Sequence, residues 1–198
     1  MLRRQAGRPA GLAQRGALLI EALVAILIVS FGMMALAGLH TTMNAAVFES
    51  YQRTQALSLM QDMANRMDAN QSQAASYVTA SALGTGDGQP TACAVPGATR
   101  AQVDLCEWSN LLKGASETTP SATTVGAMLA GRGCVEQLQP PLPAAGVCQP
   151  GIYRITVAWQ GFQATVAPPQ ACGQGLYARE ALRKTVSTQL LVALPACS

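Results

Sequence analysis

Charge is scarce in this sequence. Asp, Glu, Lys and Arg make up 12% of the 198 residues, about half the roughly 25% usual in globular domains. His40 is the only histidine, so no metal-binding histidine pair can form and general acid–base chemistry has few candidates. No two cysteines lie within three residues of one another, which excludes zinc-ribbon and thioredoxin spacings. P-loop and nucleophile-elbow motifs are absent as well. These gaps point away from an enzyme and imply no cofactor and no metal. Disorder of the whole chain is excluded on other grounds. It needs low hydrophobicity with high net charge, and here 49% of residues are apolar.

The charge that is present is unevenly placed. Four of the thirteen Lys and Arg residues (Arg3, Arg4, Arg8, Arg15) fall in the first sixteen positions, which contain no acid. Residues 17–198 then hold nine bases against ten acids, a net −1. The bulk of the chain is not basic, so general attraction to nucleic acid is weakly supported. After Gly16 come 23 residues, Ala17 to Leu39, with a single ionisable group, Glu21. As a helix they would extend about 34 Å, enough to cross a hydrocarbon core of about 30 Å. Basic residues on the amino-terminal side put that end in the cytoplasm and the rest outside. No second run of this kind follows.

Three readings compete for the segment. Ala35-Leu36-Ala37 supplies a small-residue motif for a conventional secretory signal, but the apolar stretch is longer than usual and carries an acid near its start. Arg3-Arg4 could belong to a twin-arginine address, though nothing after the pair supports one. A cut after Gly16 would instead retain the whole apolar helix. Glu21 favours this third reading. A carboxylate in a membrane helix costs roughly 2.5–3.5 kcal/mol and marks a functional site. Cleavage would create a partner about one turn away, the new amino group of Ala17, in the same chain or a neighbour.

The stretch Arg15-Gly16-Ala17-Leu18-Leu19-Ile20-Glu21-Ala22-Leu23-Val24-Ala25 resembles the class III signal of type IV pilins and type II secretion pseudopilins. The resemblance implies that a prepilin peptidase cuts between Gly16 and Ala17 and methylates the amino group of Ala17. Glu21 would guide docking into a growing filament. Ala17 departs from the Phe usual in major pilins. Asp62-Met63-Ala64-Asn65-Arg66-Met67-Asp68-Ala69-Asn70 resembles a phrase that follows the long helix in minor pilins of the PilV kind, and Asp104 and Trp108 echo that pattern. The implied partners are other minor pilins, the major pilin, the prepilin peptidase and the inner-membrane assembly machinery. The implied role is to help initiate pilus assembly, with links to adhesion and twitching motility. The implied location is a single-pass inner-membrane protein with a periplasmic head, later carried near the pilus tip. Two alternatives remain: a secretion pseudopilin, and a DNA-capturing pilin using Arg179, Arg183 and Lys184.

The residues themselves predict an α+β fold. Met43, Val47, Tyr51, Leu57, Met60, Met63 and Met67 recur at mostly helical spacing, and no proline occurs between residues 17 and 89. One helix over 17–70 is expected, membrane-spanning over 17–39 and amphipathic over 40–70, with Gly32 and Gly38 as weak points. Residues 71–198 would form the head. Residues 71–100, including Gly84-Thr85-Gly86-Asp87-Gly88, read as exposed loop rather than dinucleotide or calcium site. Val103 to Lys113 suits a short helix. Ile152 to Trp159, a turn at Gln160-Gly161 and a return over Phe162 to Val166 suggest a hairpin. Gly133 to Val135 suits an edge strand. Val186, Thr188, Leu190, Val192 and Leu194 alternate along a last strand. Six cysteines beyond the apolar segment favour disulfides. Fifteen pairings are open; nearest-neighbour joining gives Cys93–Cys106, Cys134–Cys148 and Cys172–Cys197.

Overall fold

A computed structural model of the chain describes residues 15–115, 128–144 and 147–193. The chain divides after Ala46 into two units. One helix, α1 (Arg15–Ala69), supplies all of the described first unit and the opening of the second. It continues without a break at Gly32 or Gly38.

The second unit is a helix-on-sheet head. Its helical elements are the last part of α1, a 3-10 turn over Gln71–Tyr77, and α2 (Arg100–Leu112). Its main sheet has four antiparallel strands in the order β1 (Leu83–Gly84), β2 (Arg132–Gln139), β5 (Gly151–Gln160) and β6 (Arg183–Val192). A separate small hairpin joins β3 (Leu142–Ala144) to β4 (Val147–Gln149). Along β5 the alternate residues Tyr153, Ile155, Val157 and Trp159 are buried in one core with Met60, Met63 and Met67 of α1 and Trp108 and Leu112 of α2. Gly133 makes this packing possible. A Cβ there would meet the Trp108 ring at 2.2 Å and a Leu112 methyl at 2.8 Å.

The helical stripe is narrower than the apolar spacing predicts. Met60, Met63 and Met67 are buried, but Val47, Tyr51 and Leu57 stand exposed. Gln52 and Ala56 are the buried residues on this part of the helix instead. The short helix starts three residues earlier than its apolar pattern suggests. Thr99 and Gln102 form a capping box, each side chain bonding the other's backbone N–H, and this fixes the start.

No strand forms over Phe162 to Val166. Both sides of β5 are already occupied, by β2 and, in unbroken register from Gly151–Val192 to Gln160–Arg183, by β6. The chain after Gln160 therefore leaves the sheet and folds over its outer face as a long connection. Gly161 N–H donates to the Leu182 carbonyl at 2.8 Å and Thr165 N–H to the Ala181 carbonyl at 2.7 Å. Nor is β2 a free edge at Gly133 to Val135, since β1 pairs with Gly133 and Thr79 exchanges hydrogen bonds with Val135. The last strand follows its alternation: Val186 and Leu190 pack against the core and Val192 is buried within it. Leu194 lies outside the described residues.

The connection explains the cysteines. Cys93 is bonded to Cys106, as nearest-neighbour joining expects. Cys134 is bonded to Cys172, not to Cys148, so the other two expected pairs fail. Cys134 lies on the outer face of β2 opposite Thr156, where the connection crosses with Cys172, whereas Cys148 sits apart in the small hairpin. Cys148 is itself disulfide-bonded, and Cys197 lies outside the described residues. The disulfides close segments of 13 and 38 residues, for which chain-entropy arguments give about 3 and about 4 kcal/mol. Cys134→Ala/Cys172→Ala should therefore lower the denaturation midpoint more than Cys93→Ala/Cys106→Ala; the reverse order in urea titrations of the full chain would refute this ranking.

Candidate functional site

Two places in the chain concentrate polar groups among apolar ones, and they handle them in opposite ways. The first is the apolar part of α1. Gly16 and Ala17 lie in its first turn. From Leu18 to Asn44 every residue is exposed in the isolated chain, including Leu18, Ile20, Phe31, Met34 and Leu36. An apolar surface of this extent requires a partner, lipid or protein. The helix over Leu18–Ala69 is long and apolar enough to cross a membrane.

Hydroxyls within or beside the apolar stretch need no outside partner. Ser30 Oγ donates to the Ile26 carbonyl at 2.7 Å, Thr41 Oγ1 to Gly38 at 2.8 Å and Thr42 Oγ1 to Leu39 at 2.8 Å. This back-bonding satisfies them inside the helix. Glu21 differs. It has no hydrogen-bond or ion-pair partner among the described residues. His40 is exposed on the same helix.

The second place is the junction of α1, the 3-10 turn and α2, built from the Asp62-to-Asn70 phrase. Asp104 is 1% exposed, yet it carries a carboxylate. Its Oδ1 accepts from Arg66 at 3.1 Å and Arg100 at 2.8 Å. Its Oδ2 accepts from the Tyr77 hydroxyl at 2.6 Å and from Arg100 Nε at 3.2 Å. Arg66 also reaches Asp62 at 2.9 Å and Glu107 at 2.6 Å. Asn70 donates to the Tyr77 oxygen at 3.1 Å. Burial opposes the Arg66 charge, but bonds to Glu107, Asp62 and Asp104 outweigh it and raise its pKa. Burial, then the bond to Asp104, pushes the Tyr77 phenol up. Trp108 adds a second tie, donating from Nε1 to the Leu59 carbonyl at 2.9 Å.

Asp87 occupies the glycine-rich segment expected to be exposed loop; Thr85, Gly86 and Gly88 are exposed turn or loop as expected, but the Asp87 side chain is not exposed. Its carboxylate is mostly buried. It accepts from Gly84 N–H at 2.8 Å, Gln89 N–H at 3.2 Å and Ser109 Oγ at 2.6 Å, and pairs with Lys113. Four donors exhaust a carboxylate's capacity and tie β1 to α2. The missed signal was the positive-φ glycine pair, Gly84 and Gly86, curling the chain around Asp87. Among the described residues no group of three or more His, Cys, Asp and Glu could hold a metal ion.

The basic cluster of the DNA-capturing alternative comes apart. Arg183 is 2% exposed and donates to the carbonyls of Gln170 at 2.6 Å, Cys172 at 3.2 Å and Pro168 at 3.2 Å while pairing with Glu180 at 2.6 Å. It pins the long connection and is not available to a phosphate. Arg179 is exposed, and Lys184 donates to Thr165 Oγ1 at 2.7 Å.

Removing one partner from a buried charge network costs about 3–5 kcal/mol. Asp104→Ala should destabilise the head by that order, and Tyr77→Phe by about 1–3 kcal/mol, measured by urea denaturation of the full chain in detergent. The pH response should report Asp87. Burial tends to raise its pKa, but Lys113, Ser109 and the two amides outweigh that and lower it. A depressed carboxylate adds stability above its unfolded pKa of about 3.9, lost as pH falls toward the folded value. Asp87→Asn should therefore flatten the fall in stability below about pH 4; an unchanged slope would show that Asp87 does not contribute.

Residues 38–107, about a third of the chain, match the Tt1218-like family model, described as type IV pilin Tt1218. That span holds the second half of α1, the Arg66–Asp104 network and the Asp87 turn. No curated protein and no solved structure shows significant similarity to the chain. Over that span the chain is similar to type IV pilins, and a long apolar-to-amphipathic helix with an α+β head is the layout such a likeness leads one to expect.

Proposed function

We propose that this chain is a minor pilin of the PilV kind, cut after Gly16, methylated on Ala17 and held in the inner membrane by residues 17–39 before it enters a pilus. A pilin assembles with other pilins. The finer reading gives this one a place among the subunits that start the filament, near its tip, together with other minor pilins and the major pilin. The prepilin peptidase and the inner-membrane assembly machinery act on it. Through the filament it contributes to twitching motility and adhesion.

One observation carries the reading. Glu21 is the single ionisable group in the apolar segment, and the hydroxyls around that segment are satisfied internally. A lone carboxylate there is costly unless it meets a cation, and the new amino group of a cleaved neighbour is one that lies at matching depth in a bundle of like helices. Apolar packing then moves the helix from lipid to filament core, while the carboxylate–amine pair sets its axial register.

Mass spectrometry of the mature protein tests the processing. A chain beginning at methylated Ala17 is expected, and one beginning at Gly38 would sink the proposal. Glu21→Ala should leave cleavage intact and reduce incorporation into sheared pili at least tenfold, the effect of losing roughly 1.4 kcal/mol or more. Normal incorporation would remove the role given to Glu21.

A further inference from the structure

The head carries a basic cleft that the pilin reading does not use. It lies between α1, the start of β6 and the connection after β5, with a volume of about 360 Å³. Arg53 lines it, exposed and without an ion-pair partner among the described residues. Lys184 lines it too, bonded to the neutral hydroxyl of Thr165. The one carboxylate on its wall, the half-buried Glu49, accepts the Phe162 N–H at 3.1 Å. Trp159, 3% exposed, also lines the cleft, and its indole N–H has no hydrogen-bond partner among the described residues. Donors therefore outnumber acceptors, with two cations against one carboxylate that is already engaged. An oxyanion such as phosphate is the chemistry that fits.

The rim says which phosphate. Val166, on the cleft wall, is 92% exposed, and exposed Phe162 adjoins it through the bond from its N–H to Glu49. The Phe48 and Phe162 rings lie 6.2 Å apart. A free anion gains nothing from such a rim, whereas a lipid presents phosphate and acyl chain together. Phe48, packed near Phe162, also follows Leu39 by nine residues in the sequence. We propose that this cleft takes the phosphate of a membrane lipid headgroup, with the aromatic rim entering the interface, so that the head is seated on the membrane until the subunit is drawn into a filament. Gly161 keeps the cleft open, since a Cβ there would meet Lys184 Cε at 2.6 Å and Glu49 Oε1 at 2.9 Å.

The inference rests on the reading that residues 17–39 span a membrane, and one experiment separates the two. The full chain is placed in nanodiscs of phosphatidylglycerol or of phosphatidylcholine, and amide hydrogen exchange is followed over residues 161–166. Exchange there should be slower in phosphatidylglycerol by on the order of fivefold, the change expected for about one Lys or Arg near an anionic surface. Arg53→Glu, at a side chain with no partner to lose, and Lys184→Gln should each shrink that difference. Failure of the chain to enter nanodiscs would overturn the membrane reading and this inference with it. Entry without a lipid-dependent difference, or with one indifferent to both substitutions, would overturn this inference alone. Equal protection by millimolar inorganic phosphate in detergent would make the cleft a free-anion site and overturn the lipid assignment.

Discussion

The head depends on one buried charge. Asp104 sits at the point where α1, the 3-10 turn and α2 meet, and a carboxylate taken out of water there is tolerable only if fully paired. Arg66, Arg100 and Tyr77 pair it, one from each of the three elements. The buried Asp104 carboxylate cannot be satisfied without all three elements in place. The network thus fixes how α2 lies against α1, and that in turn sets Trp108 against Gly133 of the sheet. Hydrophobic burial supplies most of the stabilisation, but a methionine-rich core is adaptable and specifies orientation poorly. The charge network supplies the orientation.

Arg183 repeats the device on the sheet's outer face. Three backbone carbonyls of the long connection converge on its guanidinium, and the Cys134–Cys172 disulfide ties the same connection to β2. A loop crossing a sheet would otherwise bury carbonyls without partners. Thr156 and Ala158 are consequently buried on that side while Val157 and Trp159 are buried on the other. This is why β5 reads as an almost continuous apolar run and not as an alternation.

Much of this was legible in the residues. The long helix, the last strand and the α+β class follow from periodicity and the missing prolines, because each reflects a local rule. The Asp62-to-Asn70 phrase was noticed as a resemblance, and its physical meaning emerges only in space, where Arg66 meets Asp104 thirty-eight positions on. What failed was non-local. The expected Phe162–Val166 strand required a free flank on β5, and β6, far along the chain, had taken it. The disulfide pairing failed for the same reason, since sequence proximity of Cys134 and Cys148 says nothing about which face each occupies. Asp87 was missed because its donors come from Lys113 and Ser109 as well as from its own turn.

These comparisons set Glu21 apart. Among the described residues, buried Asp104 and Arg183 and the mostly buried carboxylate of Asp87 each have partners within the chain. In the apolar segment the hydroxyls do as well. A fold that pairs its buried charges this completely leaves little reason to retain a lone carboxylate on a helix of exposed leucine, isoleucine and valine. Replacing Glu21 by an apolar residue would suit a simple membrane anchor better. The proposed function accounts for it by packing like helices so that a cation from another chain arrives at its depth. The described buried charges of the head are paired within the chain; on the proposed reading, the carboxylate of the apolar segment finds its partner in an assembly.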